Sequence, residues 1–169
     1  METKDRLFLA VPVRLYDYPS IRRDFGPFLN GRWREEKTLH VTIAFLGKRV
    51  DPDTVARAVE GVKWGFEPSE LTGWDYFKRS RVFVATTENP TLQLLYERLA
   101  PLLGLDNILL RPHVTLMRVK GFADASGFYR LLDLPPRQPL GVLEPRVVLY
   151  RSVLHPEGAQ YDPIQEWPV

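Results

Sequence analysis

Leu39-His40-Val41-Thr42-Ile43-Ala44-Phe45-Leu46-Gly47 is repeated in kind at Arg111-Pro112-His113-Val114-Thr115-Leu116, the second histidine following the first by 73 positions. Both stretches alternate, and successive side chains of a β-strand leave on opposite faces. His40 and Thr42 therefore share one face while Val41, Ile43 and Phe45 share the other, and His113 with Thr115 is separated in the same way from Val114 and Leu116. Two of the chain's three histidines stand in this His-Val-Thr setting, a coincidence on the order of one per cent for randomly placed threonines. Laid side by side, two such strands would gather two imidazoles and two hydroxyls into one site.

That set has a definite chemistry. Imidazole has an unperturbed pKa near 6.5, so one copy can be neutral and take a proton while the other is charged and gives one. The threonine hydroxyls can donate to anionic oxygens and hold a phosphate between the rings, as in-line attack at phosphorus requires. A zinc site would need His40, His113 and a third ligand such as His155, Asp or Glu, and no H-E-x-x-H spacing supports it.

Composition narrows the field further. The 169 residues, 44% apolar and 12% aromatic, suffice for one compact core. Lys+Arg of 23 against Asp+Glu of 21 gives a net charge of +2, so nucleic-acid contact would have to come from a local arrangement of groups. The absence of cysteine excludes disulfides, thiolate metal sites and thiol nucleophiles. The segment Met1–Arg6 leads into an apolar run too short for a signal peptide or a membrane span, which makes a soluble cytoplasmic protein the expectation.

Away from the histidines the chain reads as an α+β protein. Strands are expected over 6–13, 38–46, 81–87, 112–119 and 146–154, with helices after Tyr18-Pro19, Asp51-Pro52-Asp53 and Asn89-Pro90 and over 124–132. Asn89 is the expected cap of a helix carrying Leu92, Leu95, Tyr96, Leu99 and Leu103 and closed by Gly104. Residues 63–77 read as an irregular strand pair. Neither G-x-G-x-x-G nor a P-loop occurs, which disfavours a doubly wound nucleotide-binding sheet.

The paired motifs at 40–43 and 113–116 resemble those of the 2H phosphoesterase superfamily, in particular the RNA 2',3'-cyclic phosphodiesterases also called 2'-5' RNA ligases. The opening Arg6-Leu7-Phe8-Leu9-Ala10-Val11 and the late Leu149-Tyr150-Arg151-Ser152-Val153-Leu154, followed by Gly158 and Tyr161, extend the likeness over nearly the whole chain. The resemblance implies a single domain over 1–169 with two pseudo-symmetric lobes, each a mainly antiparallel sheet with helices, around a central cleft. It implies metal-free hydrolysis of RNA 2',3'-cyclic phosphate ends to 2'-phosphomonoesters without a cofactor, and beside it a reversible ATP-independent 2'-5' ligation in which a 5'-hydroxyl attacks the cyclic phosphate. The implied partners are RNA ends, tRNA fragments among them, acting on a monomer away from any membrane.

By the same resemblance His40 is the proton donor, His113 the proton acceptor, and Thr42 and Thr115 hold the nonbridging oxygens. The residues alone leave either histidine in either role. Arg118 matches a position where relatives often carry an arginine near the phosphate. Strict alternation would put it on the face opposite His113, so a bulge or a strand end is required there. Where relatives tend to carry a phenylalanine-proline pair, this chain has Tyr76-Phe77-Lys78.

His155 is expected in a loop. The clusters Arg22-Arg23, Arg32-Trp33-Arg34 and Lys78-Arg79-Ser80-Arg81 are candidates to guide an RNA backbone, with Trp33 or Tyr76 stacking a base. Two other functions fit the same motifs: a phosphodiesterase acting on a small nucleotide such as ADP-ribose 1'',2''-cyclic phosphate, and a non-catalytic module that grips RNA ends.

Overall fold

The computed structural model describes residues 6–48, 50–156 and 158–169, so the Met1–Asp5 part of the N-terminal reading lies outside the described residues. Among the described residues ten strands and four α-helices follow in order, beginning with β1 (Arg6–Leu15), α1 (Tyr18–Phe25), β2 (Leu29–Trp33), β3 (His40–Gly47), α2 (Pro52–Ala58), β4 (Glu70–Leu71) and β5 (Gly73–Phe77). There follow β6 (Val82–Thr86), α3 (Pro90–Leu103), β7 (His113–Phe122), α4 (Ala125–Leu132), β8 (Gly141–Leu143), β9 (Arg146–His155) and β10 (Gly158–Pro168). Hydrogen bonding joins the strands in the order β10-β9-β1-β3-β7-β6-β5, with β2 added to β7 and with β8 bonded to β1 and β4. The strands pair antiparallel throughout the described residues.

The sheet falls into two halves. One is β10-β9-β1-β3, where α3 packs against β3 and against α2. The other is β2, β7, β6 and β5, where Phe25 of α1 and Phe128 of α4 meet Phe83 of β6, with ring centroids 4.4 and 5.7 Å away. These three rings are almost wholly buried and anchor the second core layer. Between the halves β3 and β7 share a single residue pair, Val41 with Val114, both buried. The two histidine strands thus meet at the seam.

The helix ends follow the expected capping chemistry. The side chains of Asp51, Asn89 and Asp124 accept from the backbone N–H of Thr54, Leu92 and Gly127, each satisfying a donor that the first helical turn leaves unpaired. Gly104 closes α3 with φ of 65°, a left-handed conformation open to glycine without side-chain strain.

Three strands depart from the sequence expectation. Leu29-Asn30-Gly31 has the composition of a turn, yet it pairs with β7, and a Cβ on Gly31 would lie 2.5 Å from the Arg118 carbonyl oxygen. The close approach of the two backbones is why glycine stands there. β8 is only three residues long. β10 contains Pro163 and Pro168, which an outermost strand tolerates because it need not donate on its free side. His155 is the last residue of β9, paired with Gly158, rather than part of the expected loop. Among the described residues no helix is long and apolar enough to cross a membrane.

Candidate active site

Antiparallel pairing about Val41 and Val114 sets His40 across from Thr115 and Thr42 across from His113. The two valines point into the core, so all four polar side chains emerge together on the other face, each half-buried. The structure therefore brings His40, Thr42, His113 and Thr115 into one cluster. Among the described residues neither threonine hydroxyl is taken up by a protein partner, which leaves both free to donate to a ligand.

Both imidazoles are held in the same way. Nδ1 of His40 lies 2.7 Å from the carbonyl oxygen of Thr38, and Nδ1 of His113 lies 2.6 Å from that of Arg111, in each case two residues upstream. A carbonyl only accepts, so Nδ1 carries the proton and donates it, and Nε2 is left as the ring nitrogen open to proton exchange. Thr38 is itself fixed by N–H and hydroxyl bonds to the Glu35 carbonyl, at 3.0 and 2.8 Å.

Their surroundings differ. His40 is ringed by Phe8, Tyr161 and Tyr150 at centroid distances of 5.1, 5.3 and 5.9 Å. His113 meets the single ring of Phe77, edge to face at 4.8 Å. Burial pushes the His40 pKa down, and the charges of Arg34 and His113 add to this, while the bond to the Thr38 carbonyl opposes them. A site that needs one neutral and one charged imidazole loses activity in acid when the more acidic ring gains its proton. The acid limb of kcat/KM on a nucleoside 2',3'-cyclic phosphate is therefore expected below about pH 6.5, with His40 titrating over the same range by NMR of its ring proton in the free protein. This holds whichever histidine donates.

Two β-bulges decide what else faces the cluster. β1 pairs with β3 through Ala10 with Thr42 and then Leu9 with Ala44, leaving Ile43 as an extra residue. β6 pairs with β7 through Val84 with Thr115 and then Phe83 with Met117, leaving Leu116 extra. One inserted residue inverts the alternation that follows. Ile43 and Ala44 are accordingly both buried, as are Leu116 and Met117, and the next residues, Phe45 and Arg118, come out on the histidine face. Arg118 thus gains the bulge its position required. Phe45, expected in the core, is instead 76% exposed.

β2 contributes what the motifs did not reveal. Trp33 turns toward the helices, edge-on to Tyr18 at 6.0 Å and to Phe83 at 6.1 Å, which leaves its neighbours Arg32 and Arg34 on the opposite, histidine-bearing face. The Tyr18 hydroxyl reaches the carbonyls of Arg34 at 2.8 Å and of Leu116 at 3.3 Å, tying the end of β2 to the β7 bulge. Burial pushes its pKa up to about 12, so it stays a donor. Tyr76 likewise packs away from the cluster, against Phe122, Phe128 and Tyr129. Neither Trp33 nor Tyr76 is placed to stack a base in the cleft. Phe77 supplies the wall beside His113, and the Arg111 guanidinium lies over the same ring at 4.5 Å.

Arg22 stacks over Tyr18 and Trp33 on the helix side, and Lys78–Ser80 form the turn between β5 and β6, so the three basic clusters of the sequence do not form one surface. Among the described residues no three His, Asp or Glu side chains are grouped to hold a metal ion.

Comparison with known proteins agrees with this arrangement. Residues 20–84, which include the first motif, match the family described as LigT like Phosphoesterase. No curated protein matches the sequence. Escherichia coli LigT complexed with 3'-AMP superposes with a TM-score of 0.74 at 22% identity, covering 98% of each chain. TT0787 of Thermus thermophilus gives 0.73 at 24% identity over 96% of this chain and 97% of its own. In both comparisons the shared fold spans the half that carries the second motif. The family match takes in residues 20–84 with the first motif, and the likeness to the solved structures shows a LigT-like fold over nearly the full length.

Proposed function

We propose that this protein hydrolyses the 2',3'-cyclic phosphate ends of RNA to 2'-phosphomonoesters, the whole chain working as one bilobal catalytic domain. The observation that carries the reading is the pair of His-x-Thr strands meeting at Val41 and Val114, with each Nδ1 engaged by a carbonyl and each Nε2 available. His113 takes a proton from water as its oxygen bonds to phosphorus. The bond from phosphorus to the 3' oxygen breaks, and His40 protonates that oxygen. Thr42 and Thr115 donate to the nonbridging oxygens. An RNA 5'-hydroxyl attacking in place of water yields a 2'-5' bond without ATP, and the return reaction exchanges the roles of the two histidines. The solved complexes of E. coli LigT with phosphate and with 3'-AMP support a nucleotide phosphate as the class of ligand.

Burial at rest favours neutral His40, so its role as donor requires that the bound phosphate anion restore the proton. The testing experiment is product analysis on an RNA with a 2',3'-cyclic end in excess chelator. A 2'-phosphate is expected. A 3'-phosphate would overturn the proposed bond cleavage, and tight binding without conversion would make the protein an RNA-end-binding module.

A further inference from the structure

Arg111 bears on His113 from both of its ends. Its carbonyl oxygen accepts from Nδ1 of the imidazole at 2.6 Å, and its guanidinium lies 4.5 Å from the centre of the Phe77 ring. That ring in turn packs against the imidazole at 4.8 Å and an angle of 72°. The contacts close into a circuit, from imidazole to carbonyl, along the Arg111 side chain to Phe77, and back to the imidazole. Asp75 aims the guanidinium. Trp74 and Tyr76 pack against Phe25 and Phe128, so Asp75 and Phe77 leave β5 on the opposite, histidine-bearing face. Asp75 Oδ1 accepts from the Tyr76 N–H at 2.7 Å, and Oδ2 lies 3.9 Å from the Arg111 guanidinium.

The two histidines differ in what holds them. Three rings enclose His40. Among the described residues His113 meets Phe77 alone, and Phe77 is half-buried at the end of β5, the outermost strand on its side of the sheet. A ring so placed is free to turn unless another group is laid on it, and a guanidinium over its face supplies a directed attraction. The ion pair to Asp75 is exposed and long, so by itself it stabilises little.

Pro112 separates the two contributions of Arg111. The residue before a proline is confined to extended backbone whatever its side chain. A substitution at 111 therefore removes the guanidinium while the carbonyl keeps its direction toward His113.

We propose that Arg111 is a positioning residue for His113: its side chain holds Phe77 against the imidazole, so that Nε2 stays aimed at the reacting phosphate while the carbonyl of the same residue holds Nδ1. The proposal rests on the phosphodiesterase reading above. A loosely held imidazole spends less time in reach of the attacking water, so the effect falls on the chemical step and not on binding.

Initial rates on a nucleoside 2',3'-cyclic phosphate are to be measured for the wild type, Arg111→Ala, Arg111→Lys, Phe77→Leu and the Arg111→Ala/Phe77→Leu double variant, and exchange of the His113 Nδ1 proton followed by NMR. The Arg111 side chain is 70% exposed, so the variants at 111 should fold. In Arg111→Ala kcat should fall about tenfold with KM changed less than about twofold, and the Nδ1 proton should exchange faster. Arg111→Lys, which keeps a cation over the ring, should lie between that variant and the wild type. Once Phe77 is leucine, the loss of Arg111 should cost little more. A raised KM at unchanged kcat would make Arg111 a substrate-binding residue, and losses that multiply in the double variant would make the two side chains independent. Either result, or unchanged kcat or proton exchange in Arg111→Ala, would overturn the clamp. A wild type that turns over no nucleoside 2',3'-cyclic phosphate would remove the phosphodiesterase reading, and the proton-exchange comparison would still decide whether Arg111 holds the ring.

Discussion

His40→Ala and His113→Ala are each expected to lower turnover of a nucleoside 2',3'-cyclic phosphate by about 10²–10⁴-fold, the contribution of a positioned general acid or base. Both effects should appear mainly in kcat, because on the proposed mechanism the phosphate keeps its threonine donors. The two losses should not multiply in the double variant, since removal of either proton carrier already halts the concerted transfer. Neither change should unfold the protein: both side chains lie on the face opposite buried Val41 and Val114, and their backbone pairing is untouched. Steady-state kinetics together with thermal melting separate the effects. Near-wild-type turnover in either single variant would eliminate the two-histidine mechanism.

The sequence carried the paired strands because their information is local. His40, Thr42, His113 and Thr115 share a face by strict alternation, and nothing intervenes within either tripeptide to break it. The helix caps at Asp51 and Asn89 are legible for the same reason: the capping side chain and the N–H it satisfies lie three residues apart.

What lies beyond the tripeptides depends on partners distant in sequence. Whether Leu116 sits in a bulge depends on how β7 meets β6, and Ile43 depends similarly on β1. The alternation that would put Phe45 in the core holds only up to Ile43. The corresponding break after Leu116 is what brings Arg118 to the cleft, so one structural device accounts for both outcomes.

Arg32 and Arg34 stand out in the sequence as part of a basic cluster, but the strand that places them is illegible there for another reason. Arg32 and Arg34 follow Asn30-Gly31, which reads as a turn, and only the Gly31 approach to the Arg118 backbone makes the segment a strand. The aromatic surround of His40 draws on β1, β9 and β10, the last a proline-bearing edge strand with no clean alternation. The burial that these rings impose, and with it the lowered His40 pKa, therefore emerges only from the assembled sheet.

The threonines offer the sharpest separation between phosphate handling and proton transfer. Thr42→Val and Thr115→Val keep a β-branched side chain of nearly the same shape on strands that favour it, so the sheet should form as before. On the proposed mechanism each variant loses one hydroxyl donor to a nonbridging oxygen. In the ground state that oxygen shares a single negative charge with its partner; as water adds to phosphorus, charge accumulates on both and each donor matters more. The expected loss is about 10²–10³-fold in kcat for either variant, with a smaller change in KM. The acid limb of the pH profile should stay where His40 puts it, because the ring's carbonyl partner at Thr38 and its aromatic neighbours are unchanged. A variant whose limb moved together with its rate would show the threonine acting through the imidazole. A loss below about threefold would show that the hydroxyls do not bear on the transition state.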